Sequence, residues 1–504
     1  MIERIKQLLF KNTTPKQTVI KNTFWLFFGN IISRLIRAAI LIYAARVIGA
    51  TEFGAFNYAL SIAAFFTIFA DFGINAVITR EAASDKSKQE RYFSTALVLK
   101  ILLGIIIGII LVIVYPLLAS SITSSQADAN LVATLVPLMI LVVLFDTLRD
   151  FGASLSRAWE KMEIESFVQI FTNLVIVIAG FIAISQIPSG RSLALGYIIG
   201  TGVGMIAAFI PFRHYFKNPF KDFSFSFIKE IFKSSWVFGM MGLVGAIMLN
   251  TDSIMIGWLS DIKDVGYYSA GQRITQLIYI IPGLVATAFF PSLAKSYQDK
   301  EKFSYLSKQE IYALILLAAP LSLGGIILSK SIISLLYGSE YLPGATAFLL
   351  MNLTYLPSFV ATVLGNAVFA IRKEKVLLKY VILATLGNIF FNLLFVPKWG
   401  IAGAALSTVI NQIIGLIYLH LSLAKEADVV PKFSWNKILL PLLIMGAVVY
   451  LLNSIQVNII ITLLIGGLVY FLLLALLKEE FVWKIIKSAK KLIAGENEGA
   501  NYNN

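Results

Sequence analysis

Arg34 and Arg37 stand three residues apart inside the first long apolar run of the chain, Asn22–Ala45 (NTFWLFFGNIISRLIRAAILIYAA). In a helix that spacing puts both guanidiniums on one face, with Asn30 a turn earlier on the same face. A guanidinium near the middle of a bilayer costs at least ~2.5–3.5 kcal/mol, so a charged residue in a spanning helix marks a functional site by default. Whatever that face meets must be polar, anionic or wet. A later run carries a third arginine, Arg273, sharing a helix face with Gln272 and Gln276. The acids within such runs are few. Asp252 lies level with Arg273, Asp71 lies towards the inner end of the second run, and a cluster of Asp146, Arg149 and Asp150 sits at an inner helix end.

The elements that hold these residues are membrane spans. Of 504 residues 58% are hydrophobic and only 14% charged, and the mean hydropathy is +0.81, which no soluble protein of this size would show. With about 20 residues needed to cross a bilayer, the runs predict an all-α polytopic protein of about fourteen spans, among them 22–45, 55–77, 131–149, 267–293, 344–371, 376–396 and 400–423. Lys and Arg then orient it. With the N-terminus inside, about 33 of the 42 basic residues fall on inner segments, including Arg80, Lys86, Lys88, Lys217 and Lys221. Both termini are therefore expected in the cytoplasm and the chain in the plasma membrane. The net charge of +14 reflects this bias and attraction to anionic lipid, with no nucleic-acid partner implied.

Several functions are excluded or weakened. Cysteine is absent, so disulfides, thiol catalysis and cysteine-held metals are excluded. His214 and His420 have no partner at a metal-ligand spacing. No Gly-rich loop ending in Lys-Ser/Thr cradles a phosphate, so no ATP site, metal or cofactor is expected. Outer stretches such as Ala119–Asn130 are too short for a catalytic domain, and the inner loops hold no carboxylate–histidine constellation for acid–base work. No catalytic residue is assigned. The first residues, with Ile2, Ile5, Leu8 and Leu9 on one side, predict an amphipathic turn on the inner surface.

An internal repeat organises the chain. Glu52–Ile62 (EFGAFNYALSI) matches Asp264–Ile274 (DVGYYSAGQRI), pairing Gly54 with Gly266, and Ala158–Glu163 matches Ala370–Lys375 at the same offset of 212 residues. This predicts two pseudo-symmetric six-helix lobes, 1–220 and 221–425, followed by two further spans and a basic tail in 426–504. Parallel repeats of this kind place substrate at their interface.

The stretches AARVIGATEFGAFNYA (Ala44–Ala59), GINAVITREAA (Gly73–Ala83), DSIMIGWLSDIKDVGYYSAGQRI (Asp252–Ile274) and FVPKWGIAGAALSTVINQI (Phe395–Ile413) resemble the polysaccharide transporter family. That family holds O-antigen-type and other lipid-linked oligosaccharide flippases within the multidrug/oligosaccharidyl-lipid/polysaccharide exporter superfamily. The resemblance covers nearly the whole chain. It implies two lobes around a central cavity and alternating access that carries a polyprenyl- or dolichyl-linked glycan to the outer leaflet. It also implies a transporter, with lipid-linked oligosaccharide and membrane lipid as partners, working as a monomer.

In that setting Arg34, Arg37 and Arg273 become candidate ligands of a diphosphate, because guanidiniums bind phosphate oxygens in forked, charge-assisted pairs. Asn30, Gln272 and Gln276 are candidate cavity residues. The alternative for each arginine is a salt bridge between helices, Asp252 neutralising Arg273, and for Asp71 the alternative is a pair with Arg80 or a helix cap. The two aspartates are equally candidates for H+ or Na+ coupling, as in a cation-coupled multidrug antiporter, the first alternative function. A membrane-embedded glycan polymerase or ligase is the second. The Asp146–Arg149–Asp150 cluster is expected to be a solvated gate or a bridge locking the lobes. Pro137, Pro282 and Pro357 are expected to mark kinks.

Overall fold

The computed structural model describes residues 10–84, 89–122, 125–216, 223–432, 434–483 and 487. Among them the long elements are all helices, because a bilayer core offers no water to unpaired backbone groups and a spanning segment must satisfy them internally. In chain order the α-helices are α1 (Pro15–Asp71), α2 (Ile74–Ser84), α3 (Gln89–Ile122), α4 (Gln126–Ala158), α5 (Met162–Gln186), α6 (Gly190–Phe209), α7 (Phe225–Leu259), α8 (Ile262–Ile278), α9 (Ile280–Lys295), α10 (Lys300–Ile327), α11 (Ser329–Tyr337), α12 (Ala345–Leu353), α13 (Tyr355–Ala370), α14 (Glu374–Ala424), α15 (Trp435–Ser454) and α16 (Ile459–Leu476). The predicted N-terminal amphipathic turn, Lys86, Lys88, Lys217, Lys221 and the basic tail Lys484–Lys491 apart from Lys487 lie outside the described residues.

Among the described residues eleven segments, with α8 and α9 joined in one and α12 and α13 in another, or twelve with the bent pair α1–α2 taken as one span, are long and apolar enough to cross a membrane. This is fewer than the fourteen runs because two connections are too tight to end a helix. α1 is 57 residues long, ~85 Å at 1.5 Å per residue against a hydrocarbon core of ~30 Å, and its one non-helical residue is Gly49 (φ 78, ψ 171). α14, 51 residues long, is broken likewise at Gly400 (φ 52, ψ −133). Both backbones lie where a side chain would be strained. The second predicted span also stops early, at Asp71, because Phe72 (φ 41) and Gly73 (φ 78) both turn left-handed before α2. Pro282 and Pro357 fall in the first turns of α9 and α13, where a missing N–H costs no helix bond. They directly follow the breaks at Tyr279 and Thr354 within the predicted spans 267–293 and 344–371, whereas Pro137 lies inside α4.

The repeat is written into the backbone. Glu160 (φ 56) and Arg372 (φ 59), 212 residues apart, share a left-handed conformation. The bonds around them correspond as well: Lys161 N–H donates to Ser156 and Lys373 N–H to Val368, while Trp159 donates to Leu155 and Ile371 to Ala367. The tight turns also keep register, since Gly49 falls opposite Asp261 between α7 and α8, and Gly400 opposite Pro188 between α5 and α6.

The chain forms two compact units. The first holds Met1–Ile280, Leu336–Ala347 and Val381–Ser407, and the second Ile281–Leu335, Phe348–Tyr380 and Thr408–Asn504. In the first, α6 closes on α5 through glycines four apart: a Cβ on Gly196, Gly200 or Gly204 would overlap Gly180, Ile176 or Thr172. Small residues at this spacing let membrane helices approach closely where no hydrophobic effect drives them together. Its α1 and α8 cross at Gly54 and Gly266, where a Cβ on either would overlap a carbonyl oxygen, Ile262 for the first and Ala50 for the second. Those two carbonyls are themselves 212 residues apart, so the contact is reciprocal. A core of Phe93, Phe151, Leu155 and Phe212 packs nearby elements of this unit. In the second unit Leu316, Ile438, Met445 and Tyr470 form the core between α10, α15 and α16.

Candidate functional site

The polar face of α1 looks onto α4 and α5. Asn30, Ser33, Arg34 and Arg37 from α1, Arg149 from α4, and Gln169 and Asn173 from α5 wall a cavity of about 200 Å³. Arg37 Nε donates to Asn173 Oδ1 at 2.7 Å. Asn173 uses its own Nδ2 on the Gln169 carbonyl at 2.7 Å, which turns its oxygen towards the arginine. Asn30 bonds back to the Leu26 carbonyl at 2.8 Å. Arg34 is exposed, and its Nη1 lies 3.5 Å from the Gln276 carbonyl oxygen on α8.

Arg273 stands on that same helix. Its Nη2 donates to Asn57 Oδ1 at 2.7 Å and its Nη1 to Gln276 Oε1 at 3.3 Å, while its Nε is buried without a partner. Gln272 is half-buried. Thus α1 and α8 bring Arg34, Arg273 and Gln276 into one neighbourhood, and Arg37 turns from it towards α5.

Asp252, predicted as a partner of Arg273, sits among neutral donors. It is 8% exposed; Oδ2 accepts from the Tyr268 hydroxyl at 2.6 Å, and Oδ1 from Asn388 at 3.0 Å and Asn392 at 2.8 Å. The Oδ1 of Asn392 is itself buried and unbonded. Two amide Nδ2–H groups and one phenol O–H thus answer the carboxylate's charge, and a cation bound there would have to displace them. Among the described residues no three His, Cys, Asp or Glu side chains could share a metal ion.

Two expectations are corrected. Asp71 pairs with Lys100 Nζ at 2.6 Å, while Arg80 pairs with Glu81 at 2.7 Å: α1 ends at Asp71, and α2 carries Arg80 onward in a different direction. Arg149 is no solvated gate. It is 8% exposed, its Nη1 meets Asp146 at 2.8 Å and its Nη2 meets Asp150 at 2.9 Å, and it faces the cavity of Arg34 and Arg37. Sequence reasoning also passed over Asn57, Asn173, Asn388 and Asn392. A signal was there: each is an amide inside an apolar run, and the last two are four apart on one helix face.

Long apolar helices, an internal repeat and three arginines walling a polar cavity define a multi-pass membrane protein of transporter architecture. The model of the family Polysacc_synt, polysaccharide biosynthesis protein, matches residues 19–297, and the chain belongs to that family. The MatE model matches residues 239–394. The chain is 22% identical to the capsular polysaccharide biosynthesis protein CapF of Staphylococcus aureus, over 79% of this chain and 98% of that one. It is 20% identical to the “Probable low-salt glycan biosynthesis flippase Agl15” of Haloferax volcanii, over 94% and 99%. Its fold is similar to that of the lipid II flippase MurJ in an inward closed conformation, with a TM-score of 0.74 and 22% identity, covering 91% of this chain and 99% of that one.

Proposed function

We propose that this protein is a flippase that moves a polyprenyl- or dolichyl-diphosphate-linked oligosaccharide from the cytoplasmic to the outer leaflet of the plasma membrane, for assembly of cell-surface polysaccharide or glycan. The observation that carries this is the cavity of Arg34 and Arg37, whose wall contains no acidic side chain. Guanidiniums held there offer forked, charge-assisted bonds to phosphate. Arg273, joined to the Arg34 neighbourhood through Gln276, is the third diphosphate ligand, and Asn30, Gln272 and Gln276 supply polar lining. Membership of the polysaccharide biosynthesis family and likeness to a glycan flippase by name support the substrate class, and they favour a transporter over a polymerase or ligase.

The two lobes, 1–220 and 221–425, rock about this site as a monomer, with both termini cytoplasmic and 426–504 appended. The membrane potential supplies drive: with the interior negative, outward movement of the diphosphate is favoured by ~2.3 kcal/mol per charge per 100 mV. A second reading of the energy source rests on the buried Asp252 carboxylate, which an H+ or Na+ would answer by displacing the donors Tyr268, Asn388 and Asn392. Asp252→Asn would then abolish any dependence of transport on sodium or pH.

The test is transfer of a purified lipid-linked glycan across a proteoliposome bilayer, comparing wild type with Arg34→Ala/Arg37→Ala. A loss of at least about tenfold is expected, from removal of charged hydrogen bonds worth ~1.5–3 kcal/mol each. Equal rates would remove the assignment.

A further inference from the structure

Arg149 poses a problem that its position sharpens. It is a buried guanidinium on α4 facing two others across about 200 Å³, and like charges so placed repel unless something neutralises them. What neutralises it comes from its own helix. Asp146 holds Nη1 at 2.8 Å and Asp150 holds Nη2 at 2.9 Å, yet neither carboxylate belongs to the cavity wall. The arginine therefore lines the cavity while the acids that pair with it stand outside its wall.

We infer that Arg149 is a further phosphate ligand of the Arg34–Arg37 cavity, and that Asp146 and Asp150 compete with the bound phosphate for it. The inference rests on the reading of Arg34 and Arg37 as phosphate ligands and extends it to how the site lets go. A guanidinium has five N–H donors in a fixed fork, so two carboxylates leave donors for an incoming oxygen. Three arginines against two aspartates leave the locality with a surplus positive charge, and a diphosphate more than cancels it. The exchange is inexpensive at Asp150. The Asp150 side chain is 56% exposed and can hydrate when Arg149 turns to phosphate; Asp146 is 32% exposed but its paired Oδ1 is buried, so it yields Arg149 less readily, whereas Arg149 itself, in its buried place, needs an anion at every moment. Carboxylates waiting beside the ligand keep the phosphate from being held too tightly to leave. The volume admits a small anionic group, and the glycan must lie elsewhere.

The test is calorimetric binding of inorganic pyrophosphate to the full-length protein in nanodiscs, with thermal unfolding recorded for each variant. Arg149→Gln should raise Kd at least tenfold, while Asp146→Asn and Asp150→Asn should lower it severalfold, an opposition of sign that a merely structural ion pair would not produce. Arg149→Gln with unchanged Kd, or Asp146→Asn that weakens binding, overturns the inference. If Arg149→Gln fails to fold, the aspartate variants decide: a lower Kd in them supports the competition, and an unchanged or higher one overturns it. Loss of binding in Arg34→Gln/Arg37→Gln together with none in Arg149→Gln removes this inference alone. Full binding in Arg34→Gln/Arg37→Gln removes the reading beneath it.

Discussion

Lys100 is 0% exposed while its partner Asp71 is 28% exposed, and that asymmetry decides what each substitution does. Lys100 also donates to the Thr147 carbonyl at 3.4 Å and lies 5.8 Å from the centre of the Phe151 ring. Asp71→Asn leaves a buried ammonium without its anion, a loss of ~3–5 kcal/mol. Lys100→Met leaves a carboxylate that water already reaches, so its loss should be well below that. Equilibrium unfolding in detergent checks this. Asp71→Asn should be the more destabilised, and the double variant should recover part of the difference, since it buries no lone charge. Equal losses would show the pair to be solvated in practice. Lys21 is another buried cation held from several sides, by Glu163 at 2.9 Å, Asn12 at 2.6 Å and the Glu160 carbonyl at 3.3 Å. Neither lysine was foreseen as buried, because a lysine near the end of an apolar run reads as a solvated flank, and only its neighbours reveal otherwise.

Among the elements, the α1–α8 crossing carries the sharpest constraint. Gly54→Ala or Gly266→Ala would drive a methyl into a carbonyl oxygen of the facing helix, and backbone cannot move aside as a long side chain can. Overpacking of this kind costs ~1–3 kcal/mol. Each single variant should lower the thermal midpoint, and because the two glycines share one contact the double variant should fall short of additivity. Additive losses would mean that the helices had already parted in the singles. The same crossing positions Asn57 from α1 against Arg273 from α8, so the variants should also slow glycan transfer. Legible beforehand were the spans as apolar runs and the 212-residue register, which the left-handed turns at Glu160 and Arg372 repeat. The continuity of α1 and α14 was not, because a single positive-φ glycine can redirect a chain that hydropathy treats as two segments.

For the molecule as a whole, two environmental responses follow. Transport should accelerate when an inside-negative potential is imposed on proteoliposomes by a potassium gradient with valinomycin. A rate indifferent to potential would leave ion coupling at Asp252 as the source of drive. Acid should act on the second unit. Lys308 lies beside Asp428 and Lys373 beside Glu426, and the ammonium hydrogen bonds hold both carboxyls below their usual range. A lowered folded value means stabilisation that is complete above the unfolded values, about 3.9 for Asp and 4.3 for Glu, and that disappears as pH falls through the folded ones. The connection between α14 and α15 should therefore resist pepsin at about pH 4.5, above both unfolded values, and become progressively more cleavable as pH falls below them. In Asp428→Asn, cleavage should already be raised at the higher pH. Both acids are exposed, so the effect is local and leaves the midpoint of global unfolding nearly unchanged.

By itself the amino-acid sequence determined the solvent in which this protein lives, the helical character of its spans, the repeat, and the anomaly of arginines where hydrocarbon should be. These follow from local composition and spacing, because a bilayer taxes each residue by type and a helix turns by a constant angle. Tertiary structure alone decided who answers each charge: that Arg37 turns to Asn173, that Asp71 belongs to Lys100, that Asp252 is held by two amides 136 and 140 residues away, and that Arg149 faces the cavity. Pairing depends on which helix faces crowd together, and that is a property of packing across long sequence separations, which no spacing rule within one run contains.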